Sequence, residues 1–267
     1  MASESNWKNS PLRITLMIVI IAWIALAVVF GIYDLQISTV AASPENPFGV
    51  FGADWGETPG YAIIGLGLVV LIGSYIPNLK KQKIGAIILS NISGAAGVLG
   101  FVIDSHTLME IGISVNILVS IFTVVAYNKD WRNYRSMALV VVLFTIILPV
   151  LFVNITKPLC GRVRPRNVLW GLGEFTPWFS PPGPDLNNLS FPSGHTAMGW
   201  MLLPLLIPLR DKDAWLKILG SVLIIGWGAF VGLSRILVGA HYASDVLFST
   251  GVAFVAIIIL YKKYYLK

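Results

Sequence analysis

MALVVVLFTIILPVLFVNITKPLCGRVRPRN, residues 137–167, opens with twenty residues that carry no charge and closes with four cations, Lys157, Arg162, Arg164 and Arg166. The uncharged run has the length of one helix through the ~30 Å hydrocarbon core of a bilayer. Cations beside such a run are costly, so they are rare there and mark a working site. Pro158 and Pro165 are expected to stop the helix on either side of the loop that holds Arg162 and Arg164.

The rest of the chain repeats the first half of that pattern. Its 267 residues are 56% hydrophobic and 12% charged, with a mean hydropathy of +0.77, whereas a soluble domain carries about a quarter charged residues. This predicts an all-α fold, a polytopic transmembrane helical bundle. Eight spans are expected, at about 14–33, 60–77, 84–103, 109–127, 137–156, 193–209, 216–234 and 241–261. The first is long enough to stay as an anchor rather than be cleaved as a signal peptide. Segment 34–59, with Asp34, Glu45, Asp54 and Glu57, has no strong period and reads as a loop over the membrane surface. Gly85, Ser93, Gly94, Ala96, Gly97 and Gly100 predict close helix packing in the third span. Pro204 and Pro208 are placed to kink the far end of the sixth. The expected organisation is N-terminal transmembrane helices over 1–136, a catalytic helical core over 137–261 and a basic cytoplasmic tail over 262–267.

Charge tests this count. With both termini cytoplasmic, the inner segments hold Lys8, Arg13, Lys80, Lys81, Lys83, Lys129, Arg132, Arg135, Arg210, Lys212, Lys217, Lys262, Lys263 and Lys267, 14 of the 19 basic residues. Loops this short follow the positive-inside rule. The remaining five, Lys157, Arg162, Arg164, Arg166 and Arg235, fall on the extracytoplasmic face, and the plasma membrane is the expected location. The net charge of +6 is therefore a topology signal, and no nucleic-acid partner is expected. The one cysteine, Cys160, excludes an intramolecular disulfide and any multi-cysteine metal site.

Three polar runs share that outer face. In the first, Lys157 and Arg164 offer a point charge and a planar fork of donors suited to phosphate oxygens. A basic cluster that snorkels to lipid headgroups is the alternative, but such clusters belong on the other face. In the second, Pro192-Ser193-Gly194-His195, Ser193 is an N-cap and Gly194 admits a ligand close to the backbone. His195 then sits at the positive end of a helix, where an imidazolium is favoured only with an anion bound, as suits a general acid. In the third, Arg235 precedes His241 and Asp245, which lie four apart on one helix face. A carboxylate there would hold one imidazole nitrogen and leave the other as a nucleophilic lone pair. A structural His–Asp hydrogen bond explains that pair alone but not the other two runs. A metal held by His241, Asp245 and His195 would be repelled by the nearby cations, so no metal and no cofactor are expected.

These residues resemble the signature of the type 2 phosphatidic-acid phosphatase superfamily, K-x6-R-P, P-S-G-H and S-R-x5-H-x3-D. Lys157 with Arg164-Pro165, Pro192 to His195, and Ser234-Arg235 with His241 and Asp245 match it in order. The resemblance implies a metal-independent membrane phosphatase with a helical core. His241 would form a phosphohistidine, Asp245 would orient it and His195 would protonate the leaving oxygen. Lys157, Arg164, Ser193, Gly194 and Arg235 would hold the phosphoryl oxygens. Arg162 and Arg166 lie outside the signature and read as outer contacts. Family members with a membrane core usually have six spans, so the extra N-terminal spans are a departure. The expected substrate is a phospholipid or isoprenoid phosphate in the membrane: a prenyl diphosphate first, then phosphatidic acid or phosphatidylglycerol phosphate. A lipid phosphotransferase would use the same intermediate. An anion transporter or flippase would need charges deep in several spans, and their middles are nearly free of charge.

Overall fold

A computed structural model describes residues 11–266 of the chain. Lys8 and Lys267, two of the residues in the charge count, lie outside the described residues, as does the start of the N-terminal segment. All regular structure among the described residues is helical. In chain order the helices are α1 (Pro11–Ala41), α2 (Pro47–Trp55), α3 (Thr58–Gly73), α4 (Ile84–Val102), α5 (His106–Val125), α6 (Arg135–Thr145), α7 (Asn154–Cys160), α8 (Pro165–Leu169), α9 (Gly194–Gly199), α10 (Leu206–Leu209), α11 (Ala214–Leu237) and α12 (Ala243–Tyr265). A π-helical stretch, Ile146–Val153, joins α6 to α7, and a 3₁₀ stretch, Trp200–Leu205, joins α9 to α10.

Seven helices among the described residues are long and apolar enough to cross a membrane: Pro11–Ala41, Pro47–Gly73, Lys81–Val102, His106–Val125, Trp131–Leu169, Ala214–Leu237 and Ala243–Tyr265. Each overlaps one expected span. The expected sixth is the exception, because Gly194–Leu209 is shorter and is interrupted by the 3₁₀ turns that contain Pro204. Those turns rise ~2.0 Å per residue against ~1.5 Å in an α-helix, so the segment still covers about 27 Å.

Two expectations are corrected. Segment 34–59 is mostly helix: α1 continues to Ala41, and α2 covers Pro47–Trp55. The Asn46 side chain caps α2 by accepting the Gly49 N–H at 3.1 Å. Its buried residues are Gly49 and Gly52, so the inward face shows no apolar period. A methyl group at Gly49 would lie 2.7 Å from Val238 Cγ1, which is why that face needs glycine against α11. Pro158, expected to stop a helix, lies inside α7. The helix ends instead at Gly161, at φ +55°, in the left-handed region. Upstream, Pro149 is accommodated by the wide turns of the π-helical stretch.

The small-residue packing expected of the third span holds in part. Gly97 and Gly100 on α4 lie against the backbone of α5 at Gly112–Ile113 and Leu108–Met109, while Gly85 faces open space. The largest core cluster joins Val140, Phe144 and Leu148 to Trp200, Met201, Leu203, Ala253 and Ile257. It therefore ties α6, the α9–α10 segment and α12 together. The site ends of these helices meet at one end of the bundle, whereas Arg210 reaches Tyr261 at the other.

Candidate active site

The three polar runs converge, and most of the joints are hydrogen bonds. The Ser193 N–H donates to the Asp245 carbonyl at 3.2 Å, and Ser249 Oγ donates to the Ser193 carbonyl at 2.8 Å. These bonds fix the second run against α12. The first run joins through Ser190 N–H to the Arg162 carbonyl at 3.0 Å and Arg166 N–H to the Gly239 carbonyl at 2.9 Å. Lys157 meets the second run directly, since a methyl group on Gly194 would stand 3.3 Å from Lys157 Nζ. In the third run the Arg235 carbonyl accepts from both Ala240 N–H and His241 N–H, which turns the chain between α11 and α12.

His241 is buried at 2% exposure. Its Nδ1 lies 2.5 Å from the Ser190 carbonyl oxygen. A carbonyl only accepts, so Nδ1 carries the proton and the lone pair of the neutral ring is on Nε2. Asp245 was expected to be the hydrogen-bond partner of this ring, but its Oδ2 stands 3.6 Å from Nδ1. The carboxylate is occupied elsewhere, accepting from Ser190 Oγ at 2.5 Å, Tyr242 N–H at 2.9 Å and Arg162 Nη1 at 2.5 Å. Asp245 thus steadies the Ser190 segment that holds the ring. Burial, opposed by Asp245 and reinforced by Arg235 and Lys157, lowers the His241 pKa from 6.5 to about 3, which keeps the lone pair unprotonated.

Arg162, expected to be an outer contact, is fully buried. Its guanidinium spans two carboxylates, Asp245 and Asp34 at 3.0 Å, and also donates to Ser244 Oγ at 2.8 Å and the Thr176 carbonyl at 2.9 Å. It lies 4.0 Å from the Tyr242 ring centroid. Asp34 comes from α1 and also accepts from Ser244 N–H at 2.9 Å. Sequence reasoning treated Asp34 as a loop acid. The available signal was spacing, because Ala27, Gly31, Asp34 and Ser38 make a small or polar stripe at helical intervals along an apolar run.

His195 is 31% exposed, and its Nδ1 lies 3.0 Å from Glu57 Oε1, between α2 and α3. The Tyr61 hydroxyl donates to the other Glu57 oxygen. Ser193 Oγ accepts from Thr196 Oγ1 at 2.8 Å and Thr196 N–H at 3.3 Å, leaving its own proton for another acceptor. The third histidine, His106, begins α5, with its ring 4.9 Å from that of Trp55.

The cations divide sharply. Arg162, Arg132 and Arg210 each pair with a carboxylate. Among the described residues, Lys157, Arg164 and Arg235 make no side-chain ion pair or hydrogen bond. Arg235 is 7% exposed, and its Nε and Nη1 are buried without a partner. Such unmet donors are costly, and the charges of Lys157, Arg164 and Arg235 act on one another. An anion with several oxygens is the kind of partner that such donors would accept.

Residues 138–267, which include every one of these motif residues, match the PAP2 superfamily. The chain is similar to the PAP2 superfamily over this C-terminal stretch, just under half of its length. It is a multi-pass membrane protein and a phosphoric ester hydrolase. It is 28% identical over 214 residues to the lipid A 4'-phosphatase of Francisella tularensis subsp. novicida, an alignment covering 76% of this chain and 96% of that protein. Over 133 residues, 48% of the chain, it is 32% identical to the lipid A 1-phosphatase of Rhizobium johnstonii and 33% identical to that of Rhizobium etli. The matches span 48% and 50% of those two proteins. No solved structure matches the chain significantly. Asp34 on α1 and Glu57 between α2 and α3 lie outside the PAP2 match.

Proposed function

We propose that the chain removes a phosphate from a lipid A-type phosphate ester, through a phosphohistidine on His241, at the extracytoplasmic membrane surface. The observation that carries this reading is the set of unpaired cations, Lys157, Arg164 and Arg235, beside a histidine whose lone pair is on Nε2. In the first step the Nε2 lone pair attacks phosphorus in line. The bond to the leaving oxygen breaks, and a proton from His195 passes to that oxygen. The three cations stabilise charge on the equatorial oxygens, with the Ser193 hydroxyl as a further donor. In the second step His195 takes a proton from water and the water oxygen attacks phosphorus. The P–N bond then breaks and its electron pair returns to His241.

Lipid A-type esters rank above the prenyl diphosphate expected from sequence because the named relatives act on lipid A and one of them aligns over nearly its whole length. Arg13, Lys80, Arg135, Arg210, Lys217 and Lys263 lie toward the end of the bundle opposite the site, and by the positive-inside rule this supports an outward-facing site with cytoplasmic termini. Lateral entry would leave the acyl chains in lipid while the phosphate reaches the cations.

The test is phosphate release by purified protein in detergent, from lipid A, prenyl diphosphate, phosphatidic acid and phosphatidylglycerol phosphate. Lipid A is expected to give the highest kcat/KM, with turnover unaffected by chelator. Release that requires an added acceptor lipid would mark a phosphotransferase. No turnover of any of the four would overturn the reading.

A further inference from the structure

The two histidines of the site are held by partners of different chemistry. His241 Nδ1 faces a backbone carbonyl, which accepts a hydrogen bond but carries no charge. His195 Nδ1 faces a carboxylate, Glu57 Oε1, at 3.0 Å. A carbonyl orients a neutral ring, whereas a carboxylate also stabilises an imidazolium. The nucleophile needs the first support and the proton donor needs the second.

Glu57 is held in place by packing. A methyl group at Gly60 would stand 2.6 Å from the Met198 carbonyl oxygen, so the start of α3 lies directly on the α9 segment that carries His195. On the other side, Trp227 Nε1 on α11 donates to the Gly56 carbonyl at 3.2 Å. Glu57 Oε2 accepts from Tyr61, which leaves Oε1 turned to the imidazole. The carboxylate is only 18% exposed, so water competes weakly for it.

We propose that Glu57 is a positioning residue for proton transfer by His195, supplied by the N-terminal helices to the motif-bearing half of the chain. It fixes the proton on Nδ1, presents Nε2 to the leaving oxygen and compensates the imidazolium charge before transfer. Glu57 stays a carboxylate throughout. The proton that moves is the one on His195 Nε2, and in the second step water restores it. This inference rests on the phosphohistidine reading of the site.

The distinguishing readout is leaving-group dependence. An alkyl or sugar oxygen needs protonation to depart, whereas 4-nitrophenolate departs without it. In Glu57→Gln, the first-step rate should fall about 30- to 100-fold with a lipid phosphate, within the range of general-acid contributions. With 4-nitrophenyl phosphate, the burst of nitrophenolate should change less than about threefold. Glu57→Asp should recover part of the loss with little change in KM. Equal losses on both substrates, or a Glu57→Gln enzyme as fast as wild type on the lipid, would overturn the role. Trapping of the acid-labile phosphoenzyme keeps the two readings apart. If His241→Ala still forms it, the nucleophile assignment fails, whatever Glu57 does.

Discussion

Replacing His241 with alanine is expected to lower lipid phosphate turnover by about 10⁴-fold or more, roughly 5 kcal/mol or more of transition-state stabilisation. Phosphate binding should survive, because the cations proposed to hold the anion are untouched. The folded protein should also be more tolerant of acid. In the wild type, burial lowers the His241 pKa from 6.5 to about 3. The unfolded chain accepts a proton below pH 6.5 that the folded chain refuses, so this contribution to stability is whole above pH 6.5 and is lost as pH falls toward 3. At pH 4.5 the loss is about 3 kcal/mol. His241→Gln cannot take up that proton. Denaturation midpoints of wild type and His241→Gln should therefore converge, or cross, between pH 7 and pH 4.5. A constant separation would contradict the buried neutral imidazole, and normal turnover in His241→Ala would remove the nucleophile.

The largest stability effect is expected at Arg162. Its guanidinium, with no exposure, is the counter-charge of two equally buried carboxylates, Asp34 and Asp245. Arg162→Leu fills much of the space but leaves both carboxylates uncompensated. Breaking a buried pair in this way costs about 3–5 kcal/mol. The sign of a second substitution identifies the cause. Asp34→Asn in the Arg162→Leu background should restore part of the stability, since it removes an unpaired charge. Asp34→Asn alone should destabilise, since it weakens the pairing with Arg162. Additive losses in the double variant would mean that lost packing, not charge, is responsible.

The contrast between these two positions shows what the sequence makes legible. His241 stands in a motif whose spacing points to the role proposed for it, and the apolar runs report the seven helices long enough to cross a membrane. The interruption of the shorter apolar helix Gly194–Leu209 was partly legible too, through Pro204. The partners of the motif residues were harder to see. Asp34 is 128 residues from Arg162, and Glu57 lies far along the chain from His195. No periodicity connects such pairs. The segment between them looked like a loop because the buried face of α2 is glycine. The Ser190 carbonyl that takes the place expected for Asp245 is a backbone atom, which residue type cannot reveal.

The fully buried residues of helix α1 are Ala27, Asp34 and Ser38. The helix packs against α12 midway, with the Trp23 ring on Gly251 and 5.5 Å from that of Phe248, and toward its end a single acid closes the electrostatic circuit around Arg162. A polypeptide beginning after residue 41 would keep every signature residue and still lack half of that arginine's neutralisation. The signature therefore marks the tools proposed for this enzyme, while a helix outside it supplies part of the frame on which they are mounted.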